Sequence, residues 1–189
     1  MSITPATTAR TRLFRCVWLT GSMHELAPEE LTRGVLIADT EDEGGDFANV
    51  AAPEISLTRV TFTRTRLTGA QLTRARIVDT TFRDCRIDLA SFAGTTFERV
   101  TFAGCILTQT DFGHALLRKV RFEHCDLTEA ELDGLRIDGC DLYACTLDGV
   151  TSLERLRGAA MPWPDIVANA AALAHALGIR VHTEDERRR

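Results

Sequence analysis

Lysine is almost absent from this chain: Lys119 stands alone among 22 basic side chains, the rest being arginine. Those 22 face 27 acidic residues, for a formal net charge of −5. A generally basic nucleic-acid-binding surface is therefore not expected. Long apolar runs are missing as well. The longest uncharged stretch, residues 166–173 and on to Gly178, is too short and too polar to span a bilayer. Near the start, Arg10, Arg12 and Arg15 interrupt any apolar run of a signal peptide, so a cytoplasmic location with reduced cysteines is expected. No G-x-S-x-G, P-loop, G-x-G-x-x-G after a strand or H-E-x-x-H is present. An enzyme, a cofactor and a metal are accordingly not expected.

What is present is a period of five. Every fifth residue from Leu57 to Leu147, 19 positions in all, is Leu, Ile or Phe, although only 39 of the 189 residues are of these types. Eight of the nine phenylalanines share this phase, Phe47 included. A second column two residues earlier is mostly small: Ala70, Ala75, Thr80, Cys85, Ala90, Thr95 and so on to Cys145. The other three positions of each five are largely Thr, Arg, Asp, Glu and Gly. Five matches neither the 3.6 of a helix nor the 2.0 of a strand. It requires a chain that turns a corner every five residues. Four corners close a square coil and set residue n above n+20, with the large and small columns inside. Successive coils then stack about 4.8 Å apart, giving roughly 23 Å of rod.

The cysteines obey the same registry. Cys85, Cys105, Cys125 and Cys145 are 20 residues apart and stack in the small column, with Cys140 one face away. Inward side chains of one ladder neither converge on a tetrahedral metal nor point well for bridging, so these read as small buried thiols. Phe62, Phe82, Phe102 and Phe122 form an aromatic stack. His114 and His124, ten residues apart, fall on opposite faces and cannot share a ligand. Cys125 points in while its neighbour His124 points out, so the two cannot act as thiolate and base.

Units such as Thr110-Asp111-Phe112-Gly113-His114, Cys125-Asp126-Leu127-Thr128-Glu129 and Ala130-Glu131-Leu132-Asp133-Gly134 resemble the A(D/N)LXX units of the pentapeptide-repeat proteins. The resemblance covers about residues 45–150. It implies an all-β solenoid, a right-handed quadrilateral β-helix, whose repeat encodes a core rather than a site. Some members of that family are acidic rods of DNA-like width that bind DNA gyrase in place of duplex, and several dimerise through a C-terminal helix.

Residues 1–44 lack the period and are expected to form an N-terminal extension and cap, with residues 13–19 and 35–38 as strand-like pieces covering the first coil. An open coil end invites edge-to-edge growth unless capped. After Val150 the period stops, and 151–189 is expected to hold a C-terminal cap, a helix over about 164–177 and a tail. Pro164 suits the first helical turn and Gly178 the stop. Ile166, Ala170, Leu173 and Leu177 make one apolar stripe, which packs on the last coil or pairs with a second copy in a homodimer.

Charge varies along the chain. Residues 55–105 are net +4, and residues 106–150 are net −5. In the first part Arg59, Asp79 and Arg99 share one column, and Arg64 stands beneath Asp84. The acidic part supplies a candidate partner surface of Asp111, Asp126, Glu131, Asp133, Asp138, Asp141 and Asp148. The reading is a non-enzymatic protein-binding protein, most concretely a DNA-mimicking modulator or protector of gyrase that touches neither nucleic acid nor membrane. The alternative is a scaffold or accessory protein for another protein partner, using the outward apolar residues Val78, Leu89, Ile106, Leu116 and Tyr143.

Overall fold

The computed structural model describes residues 31–180. It is a parallel β-solenoid in which each coil lies 20 residues beyond the last: Ile37 pairs with Leu57, Leu57 with Ile77, Ile77 with Phe97, Phe97 with Leu117 and Leu117 with Ile137. The coil has four faces, A to D, each carrying five residues per turn: 55–59, 60–64, 65–69 and 70–74, with their equivalents at steps of 20. Faces A and B carry the strands. These are β1 Leu36–Glu43, β2 Ser56–Thr63, β3 Arg76–Val78, β4 Thr81–Arg83, β5 Thr96–Glu98, β6 Thr101–Ala103, β7 Leu116–Glu123 and β8 Arg136–Tyr143. Faces C and D are joined by single bridges, such as Ile106 to Asp126 and Asp111 to Glu131.

The corner is a backbone device. Every fifth residue from Gly34 to Gly149 has a positive φ. Many of these are not glycine, Asp39, Arg59, Asp79, Arg99 and Lys119 among them, with φ of 50–57°. The left-handed conformation costs about 1 kcal/mol where a Cβ is present. The cross-coil amide bonds offset it: Leu67 N–H donates to Arg86 O at 2.6 Å and His114 N–H to Asp133 O at 2.7 Å.

Inside, the two columns are buried almost without interruption from Ile55 to Leu147. Phe62, Phe82, Phe102 and Phe122 stack with ring centroids 5.2, 4.8 and 5.0 Å apart and planes within 9°. Phe92 lies over Phe112 at 5.6 Å. Past Phe112 and Phe122 the lumen is lined by Leu127, Leu132, Leu142 and Leu147, and a cavity of about 20 Å³ remains among them. Leucine leaves space that an aromatic ring fills.

Two boundaries differ from expectation. The ladder begins ahead of residue 45: β1 pairs with β2 from Leu36, and Val35 and Ile37 are buried core residues. Residues 35–38 thus belong to the first coil instead of covering it. The period hides there because Asp42 and Ala52 occupy inward positions of the large column. The expected cap strand at 13–19 lies outside the described residues. After the last coil come a 3-10 helix, Leu153–Leu156, and two short helices where one was expected: α1 Trp163–Ala168 and α2 Ala170–Ala176. They part at Asn169, whose side chain is committed to the rod. Its Oδ1 accepts from Leu147 N–H at 3.0 Å, and its Nδ2 donates to Cys145 O at 3.1 Å and Asp165 O at 2.9 Å. Asp165 Oδ2 accepts from Ala144 N–H at 2.6 Å. These side chains replace the peptides that a further coil would offer to the open edge.

Candidate protein-binding surface

Corners and single bridges place the outward side chains in vertical columns, so the coil sorts charge by face. Beyond residue 105, faces C and D hold Asp111, Asp126, Glu129, Glu131, Asp133 and Asp148 within 106–150, and no arginine or lysine. All four cations of that stretch, Arg118, Lys119, Arg121 and Arg136, lie on faces A and B. Among the described residues none of the six acids forms an ion pair. Asp111 accepts from Ser91 Oγ at 2.8 Å and Gly113 N–H at 2.7 Å, Asp126 from Thr128 Oγ1 at 2.6 Å, and Glu129 from Gln109 Nε2 at 2.7 Å. These bonds fix carboxylates without neutralising them. Asp111 and Glu131 are bridge partners, so two like charges stand one coil apart.

The structure does not bring all seven expected acids together. Asp111, Asp126, Glu131, Asp133 and Asp148 share the two cation-free faces. Asp138 lies on face A opposite Arg118, and Asp141 lies on face B, 3.7 Å from Arg121. Glu129, not singled out from the sequence, belongs with the five, and its position modulo 20 was the signal for it.

The first half is arranged differently. Arg59 binds Asp39 at 2.5 and 2.7 Å, Arg99 binds Asp79 at 2.5 and 2.9 Å, Arg66 binds Asp46, Arg74 binds Glu54, Arg76 binds Glu98 and Arg86 binds Asp88. The Arg59 and Arg99 guanidiniums hold Asp39 and Asp79 below the usual aspartate range. Arg64 pairs with Glu43 instead of Asp84. The apparent basic band is thus largely matched by carboxylates, several of them from residues 39–54.

Of the expected apolar surface residues, Leu89, Ile106 and Tyr143 are exposed, Leu116 is half-buried, and Val78 is buried between Thr58 and Glu98 on its ladder. At the C-terminal end Ile166 and Leu173 line a groove of about 760 Å³ with Leu153, Leu156, Met161 and Leu177. Leu173 also packs on the core, whereas Ala170 and Leu177 are exposed.

The five thiols among the described residues are free and buried. Cys85, Cys105, Cys125 and Cys145 each set Sγ within 3.3–3.5 Å of two main-chain carbonyl oxygens. Burial and the charge of Asp141 push Cys140 up to about 12. Cys105 is raised as well, by the neighbouring thiols of Cys125 and Cys85 in the ladder and by burial. A thiol raised by burial, as at Cys140 and Cys105, is a poor nucleophile. Among the described residues no cluster of His, Cys, Asp or Glu is arranged to hold a metal ion. No helix among them is long and apolar enough to cross a membrane.

The sequence profile of the pentapeptide repeat region matches residues 43–112 and 88–151. The chain belongs to the pentapeptide-repeat family. Among solved pentapeptide-repeat proteins it is similar to HetL, involved in heterocyst differentiation regulation in the cyanobacterium Nostoc sp. strain PCC 7120, at 17% identity over 70% of this chain and 80% of that one, with a TM-score of 0.44. A structure of QnrB1, a plasmid-mediated fluoroquinolone resistance protein, matches at 16% identity over 80% and 92%, with a TM-score of 0.36. Rfr23 of the cyanobacterium Cyanothece 51142 matches at 16% identity over 62% and 84%, with a TM-score of 0.25. No curated protein matches the chain. The family's repeat accounts for the inward columns of this pentapeptide-repeat protein and leaves its outward acids unconstrained.

Proposed function

We propose that this pentapeptide-repeat protein is a non-catalytic binding protein whose acidic faces C and D take the place of duplex DNA in the basic groove of a DNA-binding partner, most concretely DNA gyrase. One observation carries the reading: six carboxylates share two adjacent faces with no cation beyond residue 105. Repeated negative charge on one side of a rod is what a phosphate-reading groove recognises. The test is a gyrase supercoiling assay with and without a fluoroquinolone. A reversal of Asp111, Asp126, Glu131, Asp133 and Asp148 to lysine is expected to abolish the effect of the wild type. Reversal of Asp138 and Asp141, on the other two faces, is expected to retain it. A wild type without effect at large molar excess over gyrase sinks the proposal.

A second reading is a scaffold for a different protein, anchored by Leu89 and Ile106 on face C and Tyr143 on face B, which are 54%, 41% and 52% exposed at positions where the core needs no apolar residue. Leu89→Ser with Ile106→Ser would then remove a partner that the acidic reversal leaves bound. In either reading a second copy joins through the C-terminal end, where Trp163 and Leu177 are 74% and 73% exposed beside Val167 and Ile179. Light scattering of wild type and Val167→Asp with Leu177→Asp tests that contact: equal masses would exclude it.

A further inference from the structure

Across the rod from the acids of face C, face A of the second half is cationic. Arg118, Lys119 and Arg136 are exposed there, on the paired strands β7 and β8. Beyond residue 105 the ion pairs are Arg121 with Glu123 and Asp141, and Arg155 with Glu154. Arg118, Lys119 and Arg136 therefore have none among the described residues. Face C, on the opposite side of the square, holds Asp126, Glu129 and Asp148, also without ion pairs. Cations and carboxylates that find no partner within one rod thus sit back to back.

The registry of the coil sets how these two faces meet on neighbouring rods. On each face the second and fourth residues point outward and the fifth turns the corner with a positive φ, as at Lys119, Glu129 and Gly139. Opposite faces of a closed coil run in opposite directions. When two rods lie side by side in the same orientation, the end of face A on one therefore meets the start of face C on the next. An offset of half a coil, about 2.4 Å, levels the two faces. Arg118 and Lys119 then meet Asp126, and Arg136 meets Asp148 with Glu129 one coil below. Asp138 meets the uncharged Thr146. Lower down, Arg76 meets Asp88 and Asp79 meets Arg86. Like charges meet only toward the first coils, Asp39 with Asp46 and Arg59 with Arg66, where Arg59 already binds Asp39 and Arg66 binds Asp46.

We propose that copies of this chain associate side by side, face A of one rod on face C of the next, through Arg118, Lys119 and Arg136 against Asp126, Glu129 and Asp148. The contact is translational, so it does not close and grows into rows. It is distinct from the end contact at Trp163 and Leu177, requires no gyrase, and leaves Asp111, Glu131 and Asp133 of face D free. The test is light scattering of the full chain over a concentration series, for the wild type and for Val167→Asp with Leu177→Asp. At an ionic strength on the order of 0.01 M, the average mass of both is expected to climb past about twice its value at about 1 M, where charges are screened within ~3 Å. Arg118→Glu with Lys119→Glu and Arg136→Glu is expected to lose this growth, as is Asp126→Lys with Glu129→Lys and Asp148→Lys. Mixed in equal amounts, the two triple variants are expected to regain it, since each carries the face that the other requires. Should a reversed chain fold poorly, Arg118→Gln with Lys119→Gln and Arg136→Gln replaces it and is expected to lose the growth as well. A mass independent of salt, growth that survives either triple reversal, or a mixture no heavier than its parts would each overturn the proposal.

Discussion

The two halves of the rod share one backbone and differ in both core and skin. Up to Phe122 the lumen is filled largely by stacked phenylalanines, and up to about residue 105 the surface arginines are matched to carboxylates. Past Phe122 leucines line a lumen with a small cavity, and beyond residue 105 six acids on faces C and D have no cationic partner among the described residues. The first half is arranged for self-sufficiency. The second carries charge repulsion that folding alone does not require, since Asp111 stacked on Glu131 destabilises the coil it decorates. On the function proposed above, a partner's opposite charge would offset that repulsion.

The comparison is sharpened first at the core. Phe102→Ala, in the middle of the stack, is expected to cost about 3–5 kcal/mol by denaturant unfolding. Leu132→Ala, beside the cavity, is expected to cost about 2–3 kcal/mol, because fewer contacts are lost there. Equal losses would mean that the two cores are packed alike. Next comes the cap on the weaker half. Asn169→Ala strips partners from Leu147 N–H and Cys145 C=O and is expected to cost about 2 kcal/mol, with amide exchange accelerated at Ala144–Leu147 before the first half is affected. Uniform acceleration along the rod would show that the halves do not unfold separately.

The smallest effect is electrostatic. Asp39 and Asp79 titrate below the ordinary aspartate value because Arg59 and Arg99 bind the ionised form. Their contribution is therefore complete above about pH 4 and is lost as the pH falls through their lower folded-state values. Arg99→Gln is expected to lower the urea midpoint slightly at neutral pH and to leave it unchanged below the titration of Asp79, so that the acid limb flattens. An unchanged acid limb would show that the first-half pairs are ornamental.

Much of the fold was legible because its rule is local in sequence. A large inward residue every fifth position and a small one two places earlier specify a square coil, whatever lies outside. Legibility failed where the large inward position was taken by a polar or a small residue, as at Asp42 and Ala52, which delayed the apparent start of the coil. It failed again at Asn169, where a helical apolar stripe gave no sign that one carboxamide would leave the helix to pair with the rod. The candidate site was half legible. The acidic second half could be counted, but Asp138 and Asp141 were grouped with residues from which the coil separates them.

By itself, the order of residues determined the period, the columns, the thiol ladder and the aromatic stack, since each depends only on position modulo five or twenty. Only the tertiary structure decided which arginines find a carboxylate, which acids are left facing water on the same side, and how the last coil is closed. Those outcomes depend on rotamers, on left-handed corners and on side chains reaching across coils, and no one-dimensional spacing contains them.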